Sequence, residues 1–210
     1  MTKFQKIFDD IKHTRDYKTV GEDIQYKVTV DDKDKTVTLQ FEESTSRKDW
    51  VHNISFIPVP LKLCGHWVWV TRGYACAYKS ASNLPIMTFY TKAMEHPDYA
   101  RIIRGWSFGS AMSKIATRHF FYLTGAKINA LITYGDVKCF LNPFIGKIAH
   151  KYADLIYNFV TPNDFVTWQV PFIYHRMNKC TVENKLKIKE LFKTEYYHTH
   201  YEEYDYSKYE

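Results

Sequence analysis

The sequence predicts an α/β fold with a largely parallel sheet. Two observations carry this. From Arg101 onward, short β-branched or apolar runs alternate with segments of helical periodicity, the rhythm of strands joined by crossover helices. A glycine-bracketed serine, Gly105-Trp106-Ser107-Phe108-Gly109, lies where one strand hands over to an amphipathic helix. A third observation makes the fold feasible: 45% of the 210 residues are hydrophobic and 17% aromatic, enough for a packed core and too much for a disordered chain. At roughly 100–200 residues per domain, a single domain over 1–210 is expected.

Taken in order, Phe4, Ile7, Phe8 and Ile11 recur at helical spacing and predict a helix over 4–14. Residues 25–30 and 36–41 alternate and are β-branched, with the polar run 31–35 between them, which reads as a hairpin or two adjacent strands. Residues 54–60 are apolar but punctuated by prolines, hence extended or loop. Residues 66–71 read as a strand. Residues 74–96 are helical in composition, with Pro85 expected to kink or interrupt them. A short strand at 101–104 leads into the serine turn. Met112, Ile115, Ala116, Phe120 and Leu123 then share one face of a helix over 110–124. A strand at 130–134, a helix at 146–155 and a strand at 157–161 follow, and the tail from Tyr196 is crowded with tyrosine.

The 29 Lys and Arg against 23 Asp and Glu give a net charge of +6, with no run of five like charges. This excess allows a nucleic-acid-binding reading without favouring it. Cys64, Cys76, Cys139 and Cys180 form no CxxC pair, so a structural zinc site has no support. The first sixteen residues are charged throughout and lack the apolar stretch of a signal peptide. No apolar run approaches the ~18 residues of a transmembrane helix. A cytoplasmic protein with reduced thiols is therefore expected.

The turn at Ser107 has a physical logic. A nucleophile elbow holds its serine in a sharply turned, strained backbone, and side chains two residues to either side would collide with the neighbouring strand or helix. The turn lifts the hydroxyl clear of the sheet and aims the helix N-terminus at a developing oxyanion. A glycine-rich turn with a capping serine is the structural alternative.

From about Thr36 to Tyr204 the chain resembles the class 3 lipases, serine hydrolases of the α/β-hydrolase fold. The family's GHSLGGA motif looks like GWSFGSA at 105–111. Its strand ending in FRGT is matched by Phe41-Glu42-Glu43-Ser44, and its HxGF by Thr71-Arg72-Gly73-Tyr74. Its TFGxP segment looks like Thr133-Tyr134-Gly135-Asp136-Val137. Its DxVxxxP followed by an aromatic and His looks like Asp164 to Pro171 with Tyr174-His175. The departures are Trp106 for the usual His, Ser110 for a Gly, the loss of the FRGT glycine and the missing TFGxP proline.

The resemblance implies ester hydrolysis by a Ser–Asp–His triad, with no metal or cofactor. Ser107 would be the nucleophile, and the backbone N–H of Phe108, with the backbone and hydroxyl of Ser44, would form the oxyanion hole. Asp164, after the strand at 157–161, would be the acid, with Asp154 the runner-up. The base is expected among the histidines after Asp164: His198 first, His200 as its alternative, and His175 as a packing or substrate-loop residue. Residues 45–54 match the family's lid region, where Trp50 and Ile54 would make a small apolar face; a surface turn with Trp50 docked in the core is the alternative. The implied substrate is a small-molecule or lipid ester, transient contact with a membrane surface is allowed, and no nucleic-acid partner is expected. Two glutamates beside the oxyanion hole leave open a second reading, a catalytically weak or inactive lipase-like binding module. A basic nucleic-acid binder is the third.

Overall fold

The computed structural model describes residues 1–21, 24–42, 55–168, 171, 173–182 and 194–210. Its centre is a seven-stranded sheet in the order β1-β2-β3-β6-β7-β8-β9, comprising β1 (Lys18–Val20), β2 (Ile24–Asp31), β3 (Thr36–Phe41), β6 (Ala100–Trp106), β7 (Ile128–Tyr134), β8 (Ala153–Val160) and β9 (Cys180–Thr181). β1, β2 and β3 pair antiparallel, as their short connections dictate; β3, β6, β7, β8 and β9 pair in parallel through long crossovers. A separate antiparallel hairpin joins β4 (Pro58–Leu63) and β5 (His66–Thr71).

The sheet is covered on both faces, so successive residues of its parallel strands serve two cores. On one face, α2 (Arg72–Ser80), α3 (Leu84–Glu95) and α4 (Phe108–Thr124) pack with the hairpin over Val37, Leu39, Ile103 and Leu131. On the other, α1 (Lys3–His13) and the tail pack Phe4, Phe8, Tyr197, Tyr201, Tyr204 and Tyr206 against Trp106, Ile132, Tyr134 and Phe159. Consecutive residues Leu131 and Ile132 thus serve opposite cores. Among the described residues the remaining α-helices are α5 (Ile145–Ile148) and α6 (Thr194–Thr199).

α1 begins at a reciprocal capping box: the Thr2 hydroxyl accepts from the Gln5 N–H, and the Gln5 side chain accepts from the Thr2 N–H. The proline-punctuated stretch is extended from Pro58, as β4, which among the described residues pairs with β5 alone and can leave an edge without N–H donors. Two expectations need correction. The 74–96 segment is two helices, parted at Ser82 and Asn83, whose φ angles are 48° and 62°. Pro85 sits in the first turn of α3, where a missing N–H costs nothing, so it starts a helix rather than kinking one. The helix expected over 146–155 ends in a 3-10 turn at Ala149–Lys151, and β8 begins at Ala153, paired opposite Ile128. Pairing with β7 overrides the helical composition of that stretch.

Candidate active site

Ser107 follows the last residue of β6 and immediately precedes α4. Its backbone is at φ 55°, ψ −120°, a conformation that costs a non-glycine residue about 1–3 kcal/mol. The surroundings hold it there. The Ser107 N–H donates to the Tyr134 carbonyl at the end of β7 (3.0 Å), and the Ser107 carbonyl accepts from the Ser110 N–H (2.9 Å). The flanking glycines are required by close approach. A Cβ on Gly105 would lie 2.4 Å from the Gly109 carbonyl oxygen, and one on Gly109 would lie 2.6 Å from that of Phe41. β6, α4 and β3 can therefore close on the turn only without side chains there. Phe108 is the first residue of α4, where amides have no partner within the helix.

The segment after β8 supplies Asp164 and the tail supplies His198. His198 Nε2 lies 2.7 Å from Ser107 Oγ, and His198 Nδ1 lies 2.8 Å from Asp164 Oδ2. All three are buried. Asp164 Oδ2 also accepts from the Tyr201 hydroxyl at 2.9 Å. Burial, with the Asp164 charge beside it, pushes the Tyr201 phenol well above its usual range, so it stays a neutral donor. The array Ser107 Oγ, His198 Nε2/Nδ1, Asp164 Oδ2 can pass a proton from hydroxyl to imidazole while the carboxylate fixes the tautomer and balances the imidazolium.

Two residues that depart from the family pattern hold His198 and its neighbours. The Trp106 indole N–H donates 3.0 Å to the His198 carbonyl, and the ring packs edge-on against Phe8. Ser110 Oγ accepts from the Val137 N–H at 3.2 Å. One helical turn on, the wholly buried Lys114 donates to the Val137 carbonyl and lies 2.7 Å from Asp136 Oδ1; Arg176 Nε lies 3.2 Å from Asp136 Oδ2. Together these groups clamp the Gly135-Asp136-Val137 turn. Gly135 has φ +52° and lies so close to His198 that a Cβ would meet the imidazole Cε1 at 2.7 Å. Sequence reasoning missed Lys114, Asp136, Arg176 and Tyr201. Lys114 as the one charged residue between Phe108 and Thr117 was the available signal for the first.

The other candidates lie elsewhere. His200 Nδ1 is 3.0 Å from the Tyr196 carbonyl and 2.9 Å from Thr199 Oγ1, and its ring stacks on Tyr196. His175 pairs through its backbone with Phe140. Asp154 is exposed near the start of β8, 3.4 Å from Lys127, at the opposite strand end from Asp164. Ser44, Glu43, Trp50 and Ile54 lie outside the described residues, so the second oxyanion donor and the lid have no structural account. Among the described residues no group of three or more His, Cys, Asp or Glu could hold a metal ion, and no helix is long and apolar enough to cross a membrane.

The sequence model for Lipase (class 3) matches residues 38–174. A curated lipase of Rhizomucor miehei is 25% identical over 103 residues, which are 49% of this chain and 28% of that protein. Among solved structures, a Rhizomucor miehei lipase in complex with its propeptide superposes with a TM-score of 0.68 at 20% identity, covering 80% of this chain and 54% of that one. A triacylglycerol lipase described as having a serine protease triad at its catalytic centre superposes with a TM-score of 0.66 at 20% identity, covering 80% and 65%. The fold is therefore that of the α/β-hydrolases, in a chain that spans less than two thirds of each of these relatives.

Proposed function

Because the chain belongs to the class 3 lipase family, we propose that it is a serine hydrolase that cleaves carboxylic esters, small-molecule or lipid, through an acyl-enzyme. The observation that carries this reading is the unbroken contact from Ser107 Oγ through the His198 ring to Asp164 Oδ2, with the serine held at a positive φ. Such a serine is exposed to strain that its backbone would shed unless the position mattered.

His198 Nε2 takes the proton as Ser107 Oγ adds to the ester carbonyl. The Phe108 N–H, aided by the α4 dipole and by Ser44 as the second donor, stabilises the oxyanion. His198 then protonates the departing alcohol, and a water molecule, deprotonated by the same nitrogen, attacks the acyl-serine and releases the acid. No metal or cofactor takes part. Ser107 is fully buried, so an ester reaches it only after neighbouring chain moves aside. The four unpaired cysteines suit the reducing compartment that we assign to the protein.

The test is covalent labelling with a fluorophosphonate, together with turnover of short p-nitrophenyl esters. Wild-type protein should be labelled and Ser107→Ala should be neither labelled nor active. Wild-type turnover in Ser107→Ala would refute the nucleophile. No labelling and no turnover in the wild type would leave the inactive binding module as the reading.

A further inference from the structure

Charge is distributed along this chain in blocks. Residues 55–94, 137–153 and 165–182 contain nine Lys and Arg and no Asp or Glu, against 20 Lys and Arg and 23 Asp and Glu in the rest of the chain, so the positive excess resides in them. The fold gathers these stretches. Val70 pairs with Phe140 and Phe140 with His175. The Leu141 N–H donates to the Trp69 carbonyl at 2.9 Å, and the Tyr174 hydroxyl donates to the Phe56 carbonyl. The second and third stretches leave the sheet from the C-terminal ends of β7 and β8, the edge on which Ser107 sits.

The outer face of the β4–β5 hairpin lies within this acid-free region. Leu61, Leu63, Val68 and Val70 turn inward to the core. Outward, Pro60 stands opposite Trp69 and Lys62 opposite Trp67. The two indoles are 61% and 49% exposed, although tryptophan is on average among the more buried side chains. Phe144, three residues past the Leu141 amide that bonds the hairpin, is 60% exposed. A lysine accompanies both features: Lys62 Nζ is 5.6 Å from the Trp67 ring and Lys147 Nζ is 5.8 Å from the Phe144 ring.

Indoles favour the headgroup level of a bilayer, where the ring is half in hydrocarbon and half in water. Lysines beside them keep their stems on the apolar surface and their ammonium groups among the headgroups. Lys62 and Lys147, set beside exposed rings on stretches of chain that carry no Asp or Glu, complement a negative surface potential.

We propose that the outer face of the β4–β5 hairpin, with Phe144 and the flanking lysines, docks the protein on anionic phospholipid bilayers. Trp67, Trp69 and Phe144 enter the interface, while Lys62 and Lys147 engage lipid phosphates and carboxylates. This deepens the ester-hydrolase reading, on which it rests, by naming the surface at which that site would work.

The experiment is co-sedimentation of the full chain with vesicles of phosphatidylcholine alone and of phosphatidylcholine with about one third phosphatidylserine. Binding is expected to the second only and should weaken with added salt. The pair Trp67→Ser and Trp69→Ser should reduce partitioning about tenfold or more. Lys62→Glu with Lys147→Glu should lower it by at least roughly fivefold per lysine. Both double variants should keep wild-type turnover of a soluble short ester, which shows that they fold. Equal binding to both vesicles, no binding to either, or undiminished binding by either double variant would overturn the proposal. Ser107→Ala should bind as the wild type does. Vesicle binding without fluorophosphonate labelling would sink the hydrolase reading and leave the docking face standing. Ester turnover without vesicle binding would do the reverse.

Discussion

Replacing Gly135 by alanine adds one methyl group where the structure has no room for it. The new Cβ would sit 2.7 Å from His198 Cε1 and 3.0 Å from Nδ1. Carbon atoms settle at about 3.5–4.0 Å, so the imidazole must retreat by about 1 Å. It cannot do so and keep both 2.7 Å to Ser107 Oγ and 2.8 Å to Asp164 Oδ2. The backbone does not yield easily either, because the neighbouring turn is held by Lys114, Ser110 and Arg176. A misplacement of that size costs roughly 100-fold in a reaction that depends on alignment. The φ of +52° adds about 1–2 kcal/mol of strain once a Cβ is present. For a chain of this length that lowers Tm by only about 2–8 °C. The assay is turnover of p-nitrophenyl acetate beside a thermal melt. We expect kcat to fall by about two orders of magnitude in a protein that still unfolds cooperatively. Wild-type kcat in Gly135→Ala would refute the claim that His198 works from the position seen here.

Asp164→Asn should leave the fold intact and lower turnover on the order of 10³–10⁴-fold, because the amide no longer secures the tautomer with a free Nε2; a loss below about tenfold would move the acid elsewhere. Lys114→Met strips the buried Asp136 of its partner at 2.7 Å and should destabilise the protein by about 3 kcal/mol in urea unfolding. A loss under about 1 kcal/mol would show that Arg176 alone neutralises Asp136. His119 is buried beside the Tyr78 hydroxyl, and burial pushes its pKa below the ordinary 6.5. The unfolded chain therefore takes up this proton first, so stability is full above about pH 6.5 and falls as the pH drops from there towards the depressed folded value. His119→Gln should flatten that slope, as read from urea midpoints at several pH values.

Local pattern made much of the scaffold legible. Apolar period marks α1 within a residue of its bounds, and the alternation in 25–30 and 36–41 marks two strands that indeed pair. The glycines around Ser107 announce a close approach that the structure shows as contacts with Gly109 and Phe41 backbone. What the sequence could not show is decided by contacts distant along the chain. His198 and His200 are two residues apart in the same tyrosine-rich run. They are separated in space by Trp106 holding the His198 carbonyl and by Gly135 making room for its ring. Trp106 and Ser110 read as losses from a family motif, yet each makes a hydrogen bond near the site. The five residues predicted for the apolar face of α4 are only part of its burial. The helix is buried on every side from Phe108 to Phe120, and that is how Lys114 comes to lie in the interior. Asp154 looked helical because nothing local reveals that Ile128 needs a strand partner across from Ala153.

The first and last elements meet over one sheet face. The Gln5 side chain donates to the Tyr204 carbonyl, the Tyr134 hydroxyl to the Phe4 carbonyl, and the Lys3 N–H to Glu210 Oε1. A few linking residues would span that gap. Gly125, exposed at the end of α4 with φ +72°, is a natural place to open the chain instead. Such a circular permutant would meet Asp164 first, His198 second and Ser107 last, an order that unrelated serine hydrolases use natively. The sequence in which the three side chains are synthesised is thus one of three rotations of the same ring, and the geometry at Ser107 is indifferent to which is chosen.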